Sequence, residues 1–324
     1  MLRRSLLCAV LAAATLPAAL PALGQTWPSK PITIVVPFPP GGGTDAFARP
    51  LAAQLDQQLG QRVLIDNRGG AGGTLGAGIA AKAAPDGYTF FMGAAHHAIA
   101  PGLYPKLEYD LEKDFIPIGV LAAPPQVLVA HPEKIKARTL ADFLAHVRAN
   151  PGQVTYASAG NGTTHHLAGE LFKLTTKTDL RHVPYRGAGP AMQDLLAGVV
   201  DVEFDGLGSS AAQIAGKRLV ALAVASPKRN PAIPDVPTFA EAGIAGYEVA
   251  TWYALWAPKG TPQPVIDRVT DELKKALASE PIKAAWAKNG SEIPNLWGAD
   301  FGKFVTAEIA RWGKVVREAN VKLD

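Results

Sequence analysis

The chain has one cysteine in 324 residues, Cys8, near its start. Past that position a disulfide framework, a cysteine nucleophile and cysteine metal ligands are all excluded. Concentrated charge is missing too: 32 basic residues stand against 28 acidic ones, and no Lys/Arg run stands out. Nucleic acid and anionic membrane surfaces are therefore poor candidates for partners. No apolar stretch beyond the N-terminus is long enough to span a bilayer, and residues 120–130 are interrupted by Pro124 and Pro125. There is no Gly-x-Ser-x-Gly elbow, no Walker loop and no His-Glu-x-x-His pair, so the usual sequence grounds for a serine hydrolase, a nucleotidase or a zinc protease are missing.

What is present begins with an export signal. Arg3 and Arg4 form a basic head, an apolar stretch follows from Leu6 to about Leu20, and Ala22-Leu23-Gly24 supplies small residues for cleavage. We expect residues 1–25 to be removed and the mature protein to be periplasmic. A lipid anchor on Cys8 would need a longer apolar region before it. Without Arg3 and Arg4 the charge balance of 32 against 28 falls to +2. The mature chain, about 300 residues, is long enough for two domains with large cores.

Strands and helices alternate along the mature chain, which predicts an α/β fold with parallel-rich sheets. Ile32-Thr33-Ile34-Val35-Val36 reads as a buried strand. A helix follows with Phe47, Leu51, Leu55 and Leu59 at four-residue spacing, closed by Gly60. Pro50 predicts that this helix starts late or kinks. Residues 63–65 and 88–92 read as the next strands. The grammar repeats further on. Strands are predicted at 154–157, 182–185, 200–204 and 219–225, Thr139-Leu140-Ala141-Asp142 opens a helix as a capping box, and Pro190 suits a first helical position. The strand-like Trp252-Tyr253-Ala254-Leu255-Trp256 reads as a return crossing, with both tryptophans packing a hinge; two long amphipathic helices follow.

Four glycine- and hydroxyl-rich loops, 39–45, 67–74, 158–164 and 186–190, each follow a strand and open a helix. Ligands of such sheets bind outside the C-terminal strand ends, where a helix N-terminus offers free N–H groups to an anion. Thr44, Ser158, Asn161, Thr163 and Thr164 can add hydrogen bonds. Two helix ends supply at most about 4 kcal/mol. Micromolar affinity needs roughly 8 kcal/mol, which favours a clamp that closes and excludes water. The glycines of 70–76 have the wrong spacing for a dinucleotide loop and predict close loop–helix packing. His166, in the first turn of its helix, and His96, at the end of a strand, are candidate ligand donors. His165 and His166 diverge as helix neighbours and are not expected to chelate one metal. Arg186 either pairs with a second carboxylate or lies on the surface.

The segments Pro37-Phe38-Pro39-Pro40-Gly41-Gly42-Gly43-Thr44-Asp45, Tyr156-Ala157-Ser158-Ala159-Gly160-Asn161-Gly162, His166-Leu167-Ala168-Gly169-Glu170-Leu171-Phe172, Val183-Pro184-Tyr185-Arg186-Gly187 and Asp235-Val236-Pro237-Thr238 resemble the Bug (TctC) solute-binding proteins, extracytoplasmic receptors of tripartite tricarboxylate transporters. The resemblance runs from about Trp27 to Asp324. It implies a type II periplasmic binding-protein fold, with residues 26–125 and 249–324 as one lobe, 126–248 as the other, and a hinge of two crossing segments. It implies a ligand carboxylate near the first loop, held by Phe38, Gly42, Gly43, Thr44 and Asp45 on one lobe. On the other lobe it implies Ser158, Asn161, Gly162, Thr163, Tyr185, Gly187 and Asp205. Read on its own, Asp205 either lines the cleft rim after a strand or forms a turn before Gly206.

The expectation is a monomeric receptor with no catalytic residue, cofactor or metal. It takes a di- or tricarboxylate, an amino acid or an aromatic acid, for uptake with membrane subunits of a tripartite transporter or for sensing. The competing readings are an exported α/β hydrolase-like enzyme acting on a small acid, and an interaction module that binds no small molecule.

Overall fold

The computed structural model describes residues 27–318; the predicted signal segment and Cys8 lie outside them. The chain first lays down β1 (Ile32–Val36), α1 (Gly43–Leu59), β2 (Val63–Asn67), α2 (Thr74–Ala81), β3 (Thr89–Ala94), the single turn α3 (His96–Ile99) and β4 (Phe115–Ala122). It then repeats the scheme with β5 (Gln126–Ala130), α4 (Leu140–Ala149), β6 (Thr155–Ser158), α5 (Thr164–Thr176), β7 (Arg181–Pro184), α6 (Ala188–Leu196), β8 (Val202–Gly206), α7 (Leu207–Ala215) and β9 (Val220–Val224). Finally come β10 (Tyr253–Pro258), α8 (Gln263–Ala278), α9 (Glu280–Lys288) and α10 (Gly298–Glu318).

Two five-stranded sheets result, in the orders β2-β1-β3-β10-β4 and β7-β6-β8-β5-β9. We call the halves built on them lobe 1 and lobe 2. Both are mixed rather than parallel. β10 is antiparallel to β3 and β4, and β5 is antiparallel to β8 and β9. The reason is connectivity: β5 and β10 are the strands that begin at the crossings between sheets, so they run away from the junction that the other strands' loops approach. The crossings lie side by side. Gln126 N donates to Val249 O (3.0 Å) and Thr251 N to Pro124 O (3.3 Å).

Each sheet is covered on both faces. Phe47, Leu51 and Leu55 of α1 pack with Phe90, Leu273 and Trp286 on one face of lobe 1, as the four-residue spacing predicted. Phe143, Phe172 and Phe204 centre a core of lobe 2. Side chains of this size each contribute about 1.5–3 kcal/mol when fully buried, so Phe47→Ala would cost about 3–5 kcal/mol. Thr139 caps α4 as predicted, its hydroxyl accepting from Asp142 N at 3.1 Å.

Two local expectations are corrected and one is narrowed. Of the two alternatives at Pro50, the late start is removed, because α1 begins at Gly43 and runs through Pro50; a missing donor there leaves only the Ala46 carbonyl without its helical partner. Pro190 is the third residue of α6, which opens at Ala188. Trp252 and Trp256 pack on Phe301 of α10, with ring centroids at 6.1 and 4.9 Å, and so build the lobe 1 core rather than a hinge.

Candidate functional site

The first loop is built by mutual support among its own polar groups. In the opening turn of α1, Asp45 Oδ2 accepts from Gly41 N (3.1 Å) and Arg49 Nε (2.8 Å), and Oδ1 accepts from Asn67 Nδ2 (3.2 Å). The same Asn67 amide donates to Phe38 O at 2.8 Å. Asp45 thus turns its carboxylate into the loop scaffold. The amides of Gly43, Thr44 and Asp45, in the first helical turn, have no carbonyl one turn back to accept from them. A Cβ on Gly43 would collide with the Tyr253 hydroxyl of β10, so only glycine lets that ring close over the helix end. Phe38 is buried and lies edge-on to His96, with ring centroids at 4.9 Å.

Lobe 2 meets this loop directly. A Cβ on Gly42 would lie 3.3 Å from Gly189 N and one on Gly187 would lie 2.8 Å from Pro39 Cδ. Tyr104 of lobe 1 donates its hydroxyl to Asn161 O of lobe 2 at 3.1 Å, and Thr164 Oγ1 lies 3.5 Å from His96 Nδ1. The lobes are shut on one another.

The lobe 2 loop has its own supports. Ser158 Oγ lies 2.7 Å from His182 Nε2 and accepts from Gly160 N at 3.1 Å. Thr163 caps α5: its hydroxyl donates to Gly160 O (2.7 Å) and accepts from His166 N (3.4 Å). Gly162 N donates to His166 Nδ1 (3.2 Å), and the His166 ring stacks on His182 at 4.3 Å. Tyr185 donates to Asp194 Oδ2 at 2.7 Å, and its side chain remains part-exposed. Arg186 is exposed. Asp205 lies within β8, fully buried, rather than in a turn after it, and both its oxygens accept from Ser209 Oγ at 2.8 Å.

Sequence reasoning missed two neighbours of Asp205. Glu203 lies two residues earlier on β8 and so on the same face, and His165 Nδ1 lies 3.9 Å from Glu203 Oε1 and 3.7 Å from Asp205 Oδ1. The available signal was an acid–x–acid pair in a strand otherwise made of Val and Phe. Burial pushes Asp205 up to about 7 and raises Glu203 well above the usual carboxylate range, where the Asp205 charge adds to the effect. Burial pushes His165 and His97 down to about 4 and His182 to about 3, and holds His96 well below its ordinary value. At neutral pH these rings are uncharged. His182 is then a weak base, unsuited to activating Ser158, since a general base works best with a pKa near the working pH.

The match to a family model decides the identity. Residues 47–321 fit the model of the tripartite tricarboxylate transporter family receptor, TctC. The chain belongs to this receptor family. It is a solute-binding protein of the TctC type, and its two-sheet α/β architecture is that of the periplasmic binding proteins. It is 39% identical over 313 residues to Protein BugT of Bordetella pertussis, an alignment covering 96% of this chain and 95% of the relative. The structure of periplasmic binding protein BugD superposes with a TM-score of 0.88 at 35% identity, covering 91% of this chain and 99% of that one. The R. palustris protein Rpa4515, solved with adipate, gives a TM-score of 0.88 at 36% identity, with the same coverage of 91% and 99%.

Proposed function

We propose that this receptor captures a small carboxylate in the seam between its lobes, in the periplasm, and presents it for uptake or sensing without chemical turnover. The observation that carries the reading is the meeting of the α1 N-terminus with the lobe 2 loops. The loop that leads into the amide-rich turn at Gly43 and Thr44 packs against 187–189, and 158–164 meets lobe 1 alongside it at Gly72, Tyr104 and His96, so an anion held between them would be shielded from water. The adipate held by the R. palustris relative supports a carboxylate as the ligand class.

In this reading Gly42, Gly43 and Thr44 bind through the loop backbone, and Asp45 shapes that backbone. Phe38 and His96 wall the site on lobe 1. Asn161, Gly162, Tyr185, Gly187 and Asp205 close it from lobe 2, and Ser158, Thr163 and His166 hold the lobe 2 loop in shape. The division falls at the two crossings, giving 26–125 with 249–324 and 126–248. Cleavage of 1–25 delivers a monomer to the periplasm, where membrane subunits of a tripartite transporter are its partners for uptake. Among the described residues no helix is long and apolar enough to cross a membrane.

Thermal-shift screening of the mature protein against a panel of carboxylic acids tests this. A receptor shows a large, saturable rise in melting temperature with one acid class and no product. Product formation would establish the enzyme reading, and a flat response to the whole panel would leave only an interaction module.

A further inference from the structure

Glu203, Asp205 and His165 form a group of which the proposed carboxylate site uses only Asp205, as part of its lobe 2 wall. Their nearest ligating atoms all lie within 4.8 Å of one another. Glu203 and Asp205 are 0% exposed and His165 is 3% exposed. Yet both Glu203 oxygens and His165 Nδ1 have no hydrogen-bond partner, and the separations of 3.7 and 3.9 Å exceed hydrogen-bond reach. Among the described residues no Lys or Arg pairs with either carboxyl group. Buried acids left this way are costly unless something with donors or positive charge joins them.

The group lies buried beside the same seam: Thr164, the chain neighbour of His165, has its hydroxyl 3.5 Å from His96 Nδ1 of lobe 1. The Tyr253 hydroxyl lies against Gly43 and also close to Gly206, next to Asp205. Tyr253 therefore touches the anion-binding turn on one side and the acids' strand on the other. Asn161 Oδ1 and Gln126 Oε1, two further acceptors of the lobe 2 face, are also buried and unpartnered. Asn161 Oδ1 and Gln126 Oε1 can only accept, and Glu203 accepts through both oxygens once a cation displaces its proton, which calls for a positively charged ligand group rich in donors.

We infer that the ligand carries a positively charged nitrogen beside its carboxylate, and that this nitrogen seats between Glu203, Asp205 and His165. The inference rests on the carboxylate reading above and narrows it from any small acid to an amino-acid-like zwitterion. An ammonium offers up to three donors and no acceptor. Placed about 2.8 Å from each of two oxygens, it spans gaps of the size seen here. A second ligand carboxylate in the same place would face two acidic groups instead. This lobe therefore selects against plain dicarboxylates such as the adipate found with the R. palustris relative.

Calorimetry on the mature protein with matched pairs tests the inference: aspartate against succinate, glutamate against glutarate, and β-alanine against propionate. In at least one pair the amino acid is expected to bind 30-fold or more tightly than its partner, and Glu203→Gln is expected to narrow that ratio to under threefold. If this variant fails to fold, His165→Gln carries the same comparison. Equal or tighter binding of the deamino partner in every pair that binds overturns the inference and leaves the carboxylate reading standing. A stoichiometric divalent metal in the protein as purified, detected by elemental mass spectrometry and lost in Glu203→Gln, overturns it in favour of a metal site. No binding by either member of any pair overturns the inference, and the thermal-shift panel then decides the carboxylate reading by itself.

Discussion

The two faces of the cleft are made of similar parts and finished differently. In the first loop of lobe 1 the polar side chains satisfy one another, with His96 Nε2 beside it the one wall atom left without a partner: Asp45 is shared among Gly41, Arg49 and Asn67, and Asn67 also reaches Phe38. What remains on offer is backbone, a set of amides that suits any carboxylate. On lobe 2 the loop is braced through Ser158, Thr163 and His182, but the surface beyond it keeps unmatched atoms at Asn161, His165 and Glu203. In the function proposed above, one face grips a feature common to the ligand class and the other face discriminates within it. The grip can be built in advance because N–H groups at a helix end need no partner to be stable near water. The discriminating face is left strained until its ligand arrives.

Substitutions at the two faces should therefore fail differently. Gly43→Ala has the largest expected effect, because its methyl collides with Tyr253 and displaces the first-turn amides. Calorimetry should show affinity for every binding acid falling 100-fold or more, about 2.7 kcal/mol, with no change in rank order. A changed rank order would break the division between grip and choice.

Next comes Gly189→Ala, whose added methyl meets the Pro40 carbonyl of the opposite lobe. It should hold the lobes apart, weaken binding about 10- to 100-fold, roughly 1.4–2.7 kcal/mol, and leave small-angle scattering with ligand resembling that without it. Compaction equal to the wild type's would show that this contact does not govern closure.

The pH response sharpens the comparison of charges. His96, His97, His165 and His182 are held neutral by burial, so unfolding lets them bind protons below their ordinary value. Their stability contribution is full above about pH 6.5 and is lost as pH falls toward 4. Glu203 and Asp205 act the other way: the fold holds their protons, so stability drops as pH rises from about 4 toward 7. Each group changes the slope by up to about 1.4 kcal/mol per pH unit. Four histidines outweigh two acids, so ligand-free protein should weaken on acidification, and Glu203→Gln should steepen that loss. Urea midpoints measured from pH 4 to 7 check both signs.

The smallest effect is at the lobe-to-lobe latch. Tyr104→Phe removes the hydroxyl that reaches Asn161 O. A bond of this kind is worth about 1 kcal/mol, so affinity should fall about fivefold in calorimetry, equally for all ligands.

The sequence made the repeated strand–loop–helix grammar readable because β-branched runs and four-residue helical spacing are local signals. It located the loops at 39–45 and 158–164 for the same reason. It did not show that β5 and β10 run against their neighbours, since strand direction depends on which lobe the chain is entering. β4 and β5 passed unassigned because Pro124 and Pro125 break the apolar stretch that contains them. The Glu203–Asp205–His165 group was invisible because it joins residues 38 positions apart. A period-2 reading of β8 gives two acids on one face, but only packing reveals that α5 delivers a histidine to the same point.

A crystal structure of the complex with the tightest-binding acid tests the account most directly. The ligand carboxylate should accept from main-chain N–H groups of Gly43, Thr44 or Asp45 at about 2.7–3.1 Å, while the same molecule touches lobe 2. A ligand bound on an outer face, or within the cleft but with its carboxylate turned away from α1, would contradict it.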